Sequence, residues 1–359
     1  MLAELPTPCL LVDAARLDAN IGGMQAACDA AGTQLWPHIK THKSAEIARR
    51  QLAAGAVGLT CAKLGEAEAM LASGVRRMFV AYGLVDRRLA SRLAALSEAT
   101  DEVILACTSI AQTDALDVLL ADAGLRAPVM MAVDSGLGRE GARGPGQAVA
   151  LAAHIRRSPR MDLAGIYTHE GHAYARGGPA ELRATVRGVH ARLAALRDAV
   201  DAELPLWPGC SVTAAAMAGL PGVAAVRPGT YVFGDLALTL VTQTAAWETL
   251  ALSVLATVVD RPEPGLALLD AGTKTLGSDR TADGAIAAPL DGSGWSVTRC
   301  SEEHGFATGR GADALRVGER VRVVPAHVCP VVNLADELVV TDGSRAVDRW
   351  PVTARGRSR

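Results

Sequence analysis

Short apolar stretches alternate with longer segments of mixed polarity over the first two-thirds of the chain. The apolar stretches are mostly rich in residues that favour extended backbone, and they predict β-strands at 35–40, 58–62, 78–82, 102–107, 129–134, 161–168, 206–210 and 226–235. The segments between them have apolar residues three and four positions apart, and they predict helices at 44–54, 65–73, 87–98, 111–123, 147–156 and 182–202.

This alternation predicts an α/β fold in which helices connect parallel strands. Seven strands and one further extended run indicate a closed (β/α)8 barrel of the TIM type. An open doubly wound sheet is the alternative, but no Gly-x-Gly-x-x-Gly motif follows the first strand. After about residue 238 the pattern changes to strands at 251–259, 266–269, 296–300, 320–324 and 337–340, with no long helical pattern between them. This part predicts a second, β-rich domain.

The composition is that of an ordinary globular protein, because half of the 359 residues are hydrophobic and the net charge is −2. No basic stripe or acidic tail points to a nucleic acid partner. No apolar run reaches the roughly 18 residues that a membrane-spanning helix needs, and the N-terminus lacks the pattern of a signal peptide. The seven cysteines are scattered and odd in number, so we expect no disulfide framework and a cytoplasmic protein.

In a (β/α)8 barrel the chemistry takes place at the carboxyl ends of the strands. Five polar clusters lie at predicted strand ends, at 38–42, 134–139, 167–174, 208–213 and 227–231. Lys40 stands in the first cluster, at the end of an apolar strand and near two histidines. Such an amine can form a Schiff base with pyridoxal phosphate, although a solvated lysine explains the pattern equally well.

Three further features fit such a cofactor or a metal. Arg139 follows a glycine-rich turn, where its guanidinium is either an ordinary surface group or a partner for the cofactor's phenolic oxygen. Ser211 and Thr213 precede a run of small residues that predicts a helix start, which is either an anion site or a simple helix cap. His327 and Cys329 are two apart, so on a strand both face one side and can bind Zn²⁺, although a lone His-x-Cys pair often occurs by chance.

Several segments resemble the D-threonine aldolase / D-serine dehydratase family, and the similarity runs from about residue 5 to about residue 350. They are 7–13, 37–43, 61–68, 133–139, 227–231 and 325–330. The family belongs with alanine racemase to the fold type III pyridoxal phosphate enzymes. The resemblance implies a barrel at 10–236, a metal-binding β domain formed by 1–9 and 237–359 and completed by the N-terminal strand, and a homodimer with sites at the subunit interface.

The resemblance also assigns roles to individual residues. By position, Lys40 matches the lysine that binds the cofactor covalently, and Arg139 matches the arginine at the cofactor's phenolic oxygen. Tyr167 and Tyr174 match the tyrosines that line the cofactor, and the phosphate site corresponds to Ser211, Thr213, Gly229 and Thr230. His327 and Cys329 match the metal ligands, with zinc preferred over manganese or magnesium. The phosphate turn departs from the family's common Gly-Ser-Thr-Pro-Thr pattern and reads Gly-Cys-Ser-Val-Thr, so the hydroxyl that acts there stays open.

A lyase of β-hydroxy-D-amino acids is therefore expected, with two reactions open. Lys40 can remove the Cα proton, which leads to dehydration to a 2-keto acid and ammonia. Alternatively a base, His169 or His172, takes the β-hydroxyl proton, which leads to retro-aldol cleavage to glycine and an aldehyde; a hydrogen-bonding core role is the other reading of each histidine. Family dehydratases tend to have His-x-Cys, as Cys329 does here, whereas the sequence around it also resembles bacterial D-threonine aldolases.

Two other functions are less consistent with the sequence. An amino-acid racemase of this superfamily typically needs a tyrosine from the partner's C-terminal domain, and no tyrosine follows Tyr231. A non-catalytic, single-barrel pyridoxal phosphate protein would lack both the β domain and the pair His327 and Cys329.

Overall fold

The computed structural model describes residues 2–359, apart from the side chain of Ala3. The described chain divides into two compact units. Gly22–Lys40, Ala45–Gly229 and Arg357–Arg359 form the barrel unit, and the residues up to Ile21, Thr41–Ser44 and Thr230–Gly356 form the sheet unit. The boundaries expected from the sequence, at residues 10 and 237, stay a prediction; the two units divide the chain at other positions.

The chain begins with strand β1 (Cys9–Asp13) and helix α1 (Ala14–Ala30). The barrel unit then has strands β2 (Gln34–Leu35), β3 (Leu59–Cys61), β4 (Arg77–Val80), β5 (Glu102–Cys107), β6 (Ala127–Ala132), β7 (Met161–Tyr167), β8 (Leu206–Trp207) and β9 (Ala225–Val226). Its helices are α2 (Ala45–Ala53), α3 (Leu64–Met70), α4 (Ala90–Ala99), α5 (Ile110–Ala123), α6 (Pro145–Arg157), α7 (Gly178–Val200) and α8 (Ala214–Met217).

Backbone hydrogen bonds connect these eight strands into a ring. Strands β3 to β8 form one parallel sheet, and β2 pairs in parallel with β9. Single bridges close the two remaining gaps, between His38 and Thr60 on one side and between Leu206 and Val223 on the other. The (β/α)8 barrel predicted from the alternation of strands and helices is therefore confirmed.

Aromatic side chains fill the interior of this barrel. The ring centroids of Trp36 and Trp207 lie 4.7 Å apart, and Phe79 meets Tyr167 edge-on at 5.1 Å. All four side chains are buried in one cluster. Because alternate residues of a barrel strand point inward, this aromatic layer lies deeper inside the barrel than the residues that follow the carboxyl ends of the strands.

Local signals explain the element boundaries that the sequence predicted well. Helix α5 begins after Ser109, whose hydroxyl accepts a hydrogen bond from the Gln112 amide, and it ends at Gly124, which has a φ of 66°. Two elements differ from the prediction. The strand expected at 226–235 ends at Val226, because a proline follows two residues later and Thr230–Val232 form a 3₁₀ helix. Helix α1 was not predicted, because Gly22 and Gly23 interrupt its helical pattern.

The sheet unit contains strands β10 (Leu252–Glu263), β11 (Leu266–Leu269), β12 (Ala287–Pro289), β13 (Trp295–Cys300), β14 (Gly305–Gly309), β15 (Arg320–Pro325), β16 (Glu337–Thr341) and β17 (Ala346–Pro351), with short helices α9 (Thr273–Leu276) and α10 (Val328–Leu334). The strand order is β11-β14-β13-β12-β15-β10-β1-β16-β17. Because β11 also pairs with β10, six of these strands close into an antiparallel barrel.

The N-terminal strand lies inside this sheet. Strand β1 pairs antiparallel with β10 and parallel with β16. The expectation that the N-terminal strand completes the β domain is thus confirmed. No helix among residues 2–359 is both long enough and apolar enough to cross a membrane.

Leu11 of β1 provides a test of this arrangement. Its side chain is fully buried and packs with Leu5, Leu255 and Val339. We predict that Leu11→Ala lowers the free energy of unfolding by about 2–5 kcal/mol, because it removes apolar contacts and leaves a cavity. Chemical denaturation measures this value. Leu240, which is 52% exposed, is the matched control, and Leu240→Ala should change stability by less than about 0.5 kcal/mol; equal effects of the two variants would contradict the central position of β1.

Candidate active site

Lys40 lies at the carboxyl end of the barrel, in the turn that follows the bridge between His38 and Thr60. Its backbone amide donates to the Nδ1 atom of His38 at 3.4 Å, and its side chain is half-buried. The charge of Lys40 acts on His169, which follows β7. The structure therefore brings together two residues that the sequence singled out separately.

His169 is held as a neutral imidazole. Its Nδ1–H donates to the backbone carbonyl of Gly209, the second residue after β8. Burial, followed by the positive charge of Lys40, lowers the pKa of His169 to about 3. At neutral pH the Nε2 atom therefore has no proton, and this nitrogen can accept one.

His172 is the second histidine proposed as a base. It lies in the 3₁₀ helix Gly171–Ala175, and its buried Nδ1 atom has no hydrogen-bond partner among the described residues. A Cβ atom on Gly136 would lie 3.4 Å from the His172 ring, so the ring packs over the glycine-rich turn. Burial and the nearby charge of Arg176 lower the pKa of His172.

Arg227 is a buried cation that the sequence analysis did not include among the site residues. Its guanidinium donates to the carbonyl oxygens of Thr168 and Trp207 and lies 5.2 Å above the ring of Tyr167. Burial lowers the pKa of Arg227 to about 10, which still leaves it protonated at neutral pH, and Glu170 opposes this decrease. The motif Arg-Pro-Gly-Thr-Tyr contained this residue, but nothing in the sequence showed that it lies inside the barrel.

Glu170 is a buried carboxylate that holds the turn after β8. Its Oε1 accepts a hydrogen bond from the Thr213 hydroxyl at 2.6 Å, and its Oε2 accepts one from the Gly209 amide at 3.1 Å. Burial raises the pKa of Glu170, and these hydrogen bonds oppose the increase. The sequence analysis did not single out this residue, although it stands between the candidate bases His169 and His172.

The expected cofactor-lining residues lie near this cluster. Tyr167 is 2% exposed, and its hydroxyl has no hydrogen-bond partner among residues 2–359. Arg139 is exposed, pairs with Glu140 at 2.9 Å and lines one small pocket with Tyr167 and His169. Tyr174 is half-buried in the 3₁₀ helix after β7.

Part of the expected phosphate site forms internal hydrogen bonds. The Ser211 hydroxyl accepts from the Gly229 amide at 3.0 Å, and the Thr213 hydroxyl donates to Glu170. Gly209 faces Arg227 so closely that a Cβ atom would lie 2.6 Å from its Nη2. The turn 209–213 thus connects the ends of three neighbouring strands, β7, β8 and β9. Thr230 belongs to the sheet unit, and the phosphate-binding roles of all four residues stay predictions.

His327 and Cys329 do not lie on a strand, so that expectation was wrong. Strand β15 ends at Pro325, His327 is the N-cap residue of α10, and Cys329 is in the first turn of that helix. The two side chains nevertheless approach each other closely enough for a hydrogen bond between them. The Cys329 sulfur also lies 3.2 Å from the hydroxyl of Thr41, within the sheet unit.

Asp235 orients this pair and was not found from the sequence. Its fully buried carboxylate accepts from the His327 Nδ1 atom at 3.0 Å and from the Leu238 amide at 3.0 Å. Burial opposes protonation of His327, but Cys329 and Asp235 outweigh it and raise its pKa to about 11. Within the described chain, no group of three or more His, Cys, Asp or Glu residues is arranged to hold a metal.

Two family models match almost the whole chain. The N-terminal domain of alanine racemase matches residues 12–237, and a serine dehydratase domain matches residues 251–341. The chain belongs to the D-threonine aldolase / D-serine dehydratase family. The resemblance that the sequence motifs indicated is thereby confirmed.

Individual relatives agree with this assignment over their full length. A D-threonine aldolase from Arthrobacter sp. is 34% identical over 370 residues, covering 100% of this chain and 95% of the relative. A D-threo-3-hydroxyaspartate dehydratase from Delftia sp. is 33% identical over 375 residues, covering 97% of each. Because family members are pyridoxal phosphate-dependent aldolases and dehydratases, the chain is a lyase, as expected.

Solved structures show the same relation. The crystal structure of D-threonine aldolase from Filomicrobium marinum matches with a TM-score of 0.89 and 29% identity, covering 100% of this chain and 97% of that one. A D-threo-3-hydroxyaspartate dehydratase has been solved with a histidine replaced by alanine and, in a metal-free form, with the cysteine two positions later replaced by alanine. An alanine racemase from E. faecalis, at 18% identity, a TM-score of 0.62 and 91% and 92% coverage, shows only a shared fold.

The neutral state of His169 predicts a specific loss of stability in acid. The unfolded chain has the ordinary histidine pKa of 6.5, so it binds a proton before the folded chain does. The contribution of His169 to the free energy of unfolding is therefore complete above pH 6.5. It decreases as the pH falls towards 3, by up to about 1.4 kcal/mol per pH unit. Denaturant unfolding of cofactor-free protein at pH 7, 6 and 5 should show a steeper loss for wild type than for His169→Gln; parallel curves would rule out a neutral His169.

Proposed function

We propose that the chain is a pyridoxal phosphate- and divalent metal-dependent lyase of β-hydroxy-D-amino acids. The observation that carries this proposal is the pairing of Lys40 with a neutral His169 at the carboxyl end of the barrel. The full-length similarity to relatives named for D-threonine and D-threo-3-hydroxyaspartate supports the substrate class.

The residues of the barrel unit fit pyridoxal phosphate. Tyr167 offers a buried hydroxyl without a hydrogen-bond partner among the described residues, and the missing side chain of Gly209 lets the cationic guanidinium of Arg227 pack directly against the turn. Lys40 would hold the cofactor covalently, Arg139, Tyr167 and Tyr174 would surround its ring, and Ser211, Thr213 and Gly229 would hold its phosphate. When bound, this cofactor withdraws electrons from the substrate's Cα atom and so weakens the bonds at that carbon.

The chain's own residues then decide which proton moves. In dehydration, the Lys40 amine takes the proton from the substrate's Cα atom. In retro-aldol cleavage, a base takes the proton from the β-hydroxyl group. His169 is the better candidate for this base, because its hydrogen bond to Gly209 fixes the tautomer that leaves Nε2 unprotonated; His172 is the alternative.

The pair His327 and Cys329 fits a zinc ion. Imidazole nitrogen and thiolate sulfur suit Zn²⁺ better than Mn²⁺ or Mg²⁺, which prefer oxygen ligands. Asp235 accepts the Nδ1 proton of His327 and thereby directs Nε2 towards a metal, as carboxylates commonly do for metal-bound histidines. Zn²⁺ there would act as a Lewis acid on an oxygen of the substrate.

The two reactions have different support. The pair His327 and Cys329 favours dehydration, since a D-threo-3-hydroxyaspartate dehydratase has a histidine and a cysteine at the same spacing. The 34% identity to a D-threonine aldolase favours retro-aldol cleavage as the second candidate. We further expect a homodimer and a cytoplasmic location, as the family resemblance and the cysteine content imply.

Lys40 is tested by loss of the cofactor's visible absorbance. We predict that Lys40→Ala, mixed with pyridoxal phosphate and freed of excess by gel filtration, loses both the visible absorbance of the bound cofactor and all lyase activity. Lys274, an exposed lysine paired with Glu303, is the control, and Lys274→Ala should keep both. A Lys40→Ala protein with full absorbance and activity would show that the cofactor is held elsewhere.

The metal and the reaction are tested together by product analysis. The protein loaded with cofactor and zinc is given D-threonine, D-serine and their L-enantiomers. We predict turnover of the D-enantiomers only, and its loss by at least about tenfold in Cys329→Ala or after chelation, with the visible absorbance retained. Cys300→Ala, at a half-buried cysteine of β13, should remain active.

The products then separate the two reactions. Pyruvate or 2-oxobutyrate with ammonia shows dehydration, and glycine with acetaldehyde from D-threonine shows retro-aldol cleavage. Full activity of metal-free protein would remove the metal from the proposal, and turnover of L-enantiomers alone would remove the substrate class.

A further inference from the structure

The turn 209–213 is held by two consecutive residues of the neighbouring strand end. His169 donates to the carbonyl oxygen of Gly209, and Glu170 accepts from the amide of the same residue at 3.1 Å. Glu170 also accepts from the Thr213 hydroxyl at 2.6 Å. Residues that follow β7 therefore hold both ends of the turn, and both the amide and the carbonyl group of Gly209 form hydrogen bonds.

The opposite side of the turn is held by residues that follow β9. Arg227 packs against Gly209 where a side chain would otherwise stand, and the Gly229 amide donates to Ser211 at 3.0 Å. Since all of these contacts lie in the barrel unit, the turn has little freedom to adjust on its own. Removal of one anchor should therefore change the conformation of the whole turn.

Glu170 cannot contribute to phosphate binding by direct contact, because a carboxylate repels a phosphate dianion. The lyase mechanism outlined above also gives it no proton to move. A fully buried carboxylate is costly unless its oxygens are well satisfied by hydrogen bonds. The use of Glu170 at this position is explained if its two acceptor oxygens fix the shape of the turn.

We propose that Glu170 is a positioning residue that holds the turn 209–213 in the conformation that binds the cofactor's phosphate, and that it couples this turn to His169. The inference rests on the proposed function, which places the phosphate at this turn. His169 and Glu170 are adjacent in the chain, and both form hydrogen bonds with Gly209. A displacement of Gly209 would therefore also break the hydrogen bond that fixes the tautomer of His169.

The test compares the binding of pyridoxal phosphate with that of pyridoxal, which lacks the phosphate. Glu170→Gln keeps the shape of the side chain but replaces one acceptor oxygen with an NH₂ group. This group then faces the Gly209 amide or the Thr213 hydroxyl, both of which donate to the carboxylate in the wild type. We expect the dissociation constant for pyridoxal phosphate, measured by absorbance titration, to rise about tenfold or more, and that for pyridoxal to change less than about twofold. If Glu170 acted only through its negative charge, its removal would instead lower the dissociation constant for pyridoxal phosphate. The direction of the change therefore separates a positioning role from a purely electrostatic one.

Glu66 provides a matched control. It is also a buried carboxylate of the barrel unit and accepts from the Ala62 amide at 2.7 Å, but it stands in the first turn of α3, which follows β3. Glu66→Gln should leave the ratio of the two dissociation constants unchanged. If Glu170→Gln does not fold, Glu170→Asp keeps the negative charge but shortens the side chain by one methylene group, so that its oxygens withdraw from Gly209 and Thr213. This variant should shift the ratio in the same direction.

Each result has a defined meaning for the inference. An unchanged ratio in a folded Glu170→Gln, or in Glu170→Asp where Glu170→Gln does not fold, would overturn the positioning role while leaving the proposed lyase intact. A wild type that does not prefer pyridoxal phosphate to pyridoxal would instead show that the proposed phosphate site, and with it the premise, is wrong.

Discussion

The sheet unit depends on a strand from the opposite end of the chain. Strand β1 lies between β10 and β16, so within the described sheet the hairpin of β16 and β17 is joined to the other strands only through β1. Leu11 sits opposite Val339 in this pairing and is fully buried. Helix α10, which carries Cys329, comes between β15 and β16 in the chain. The helix that carries one candidate metal ligand therefore connects β15 to the hairpin that β1 joins to the sheet.

The barrel unit has a comparable constraint in its buried charges. Arg227 and Glu170 both lie at the carboxyl end of the barrel with almost no exposure to solvent. Burial of an ion costs free energy unless nearby groups compensate it, and here backbone carbonyls, aromatic faces and hydrogen-bond donors do so. The hydrogen-bonding partners follow or end β7 and β8, whereas Arg227 itself follows β9 and Glu170 follows β7. The two charges therefore fix these three strand ends relative to one another.

Neutrality of His169 is a consequence of this environment. A buried imidazole beside the positive charge of Lys40 loses its proton easily, and the carbonyl of Gly209 selects the nitrogen that keeps one. The same residue, Gly209, is held by Glu170, so the tautomer of His169 and the shape of the turn depend on one set of hydrogen bonds. The proposed base and the proposed phosphate site are in this way linked through Gly209.

The sequence by itself determined the fold class and the positions of Lys40, Arg139 and the strand ends. It could do so because helix and strand periodicity is local and because the chemistry of a (β/α)8 barrel collects at one edge. Only the tertiary structure decided that His327 begins a helix, and that Asp235, Arg227 and Glu170 lie at the candidate sites. The physical reason is that these roles arise from contacts between residues far apart in the chain, and burial, which gives each charge its effect, is a property of the folded molecule alone.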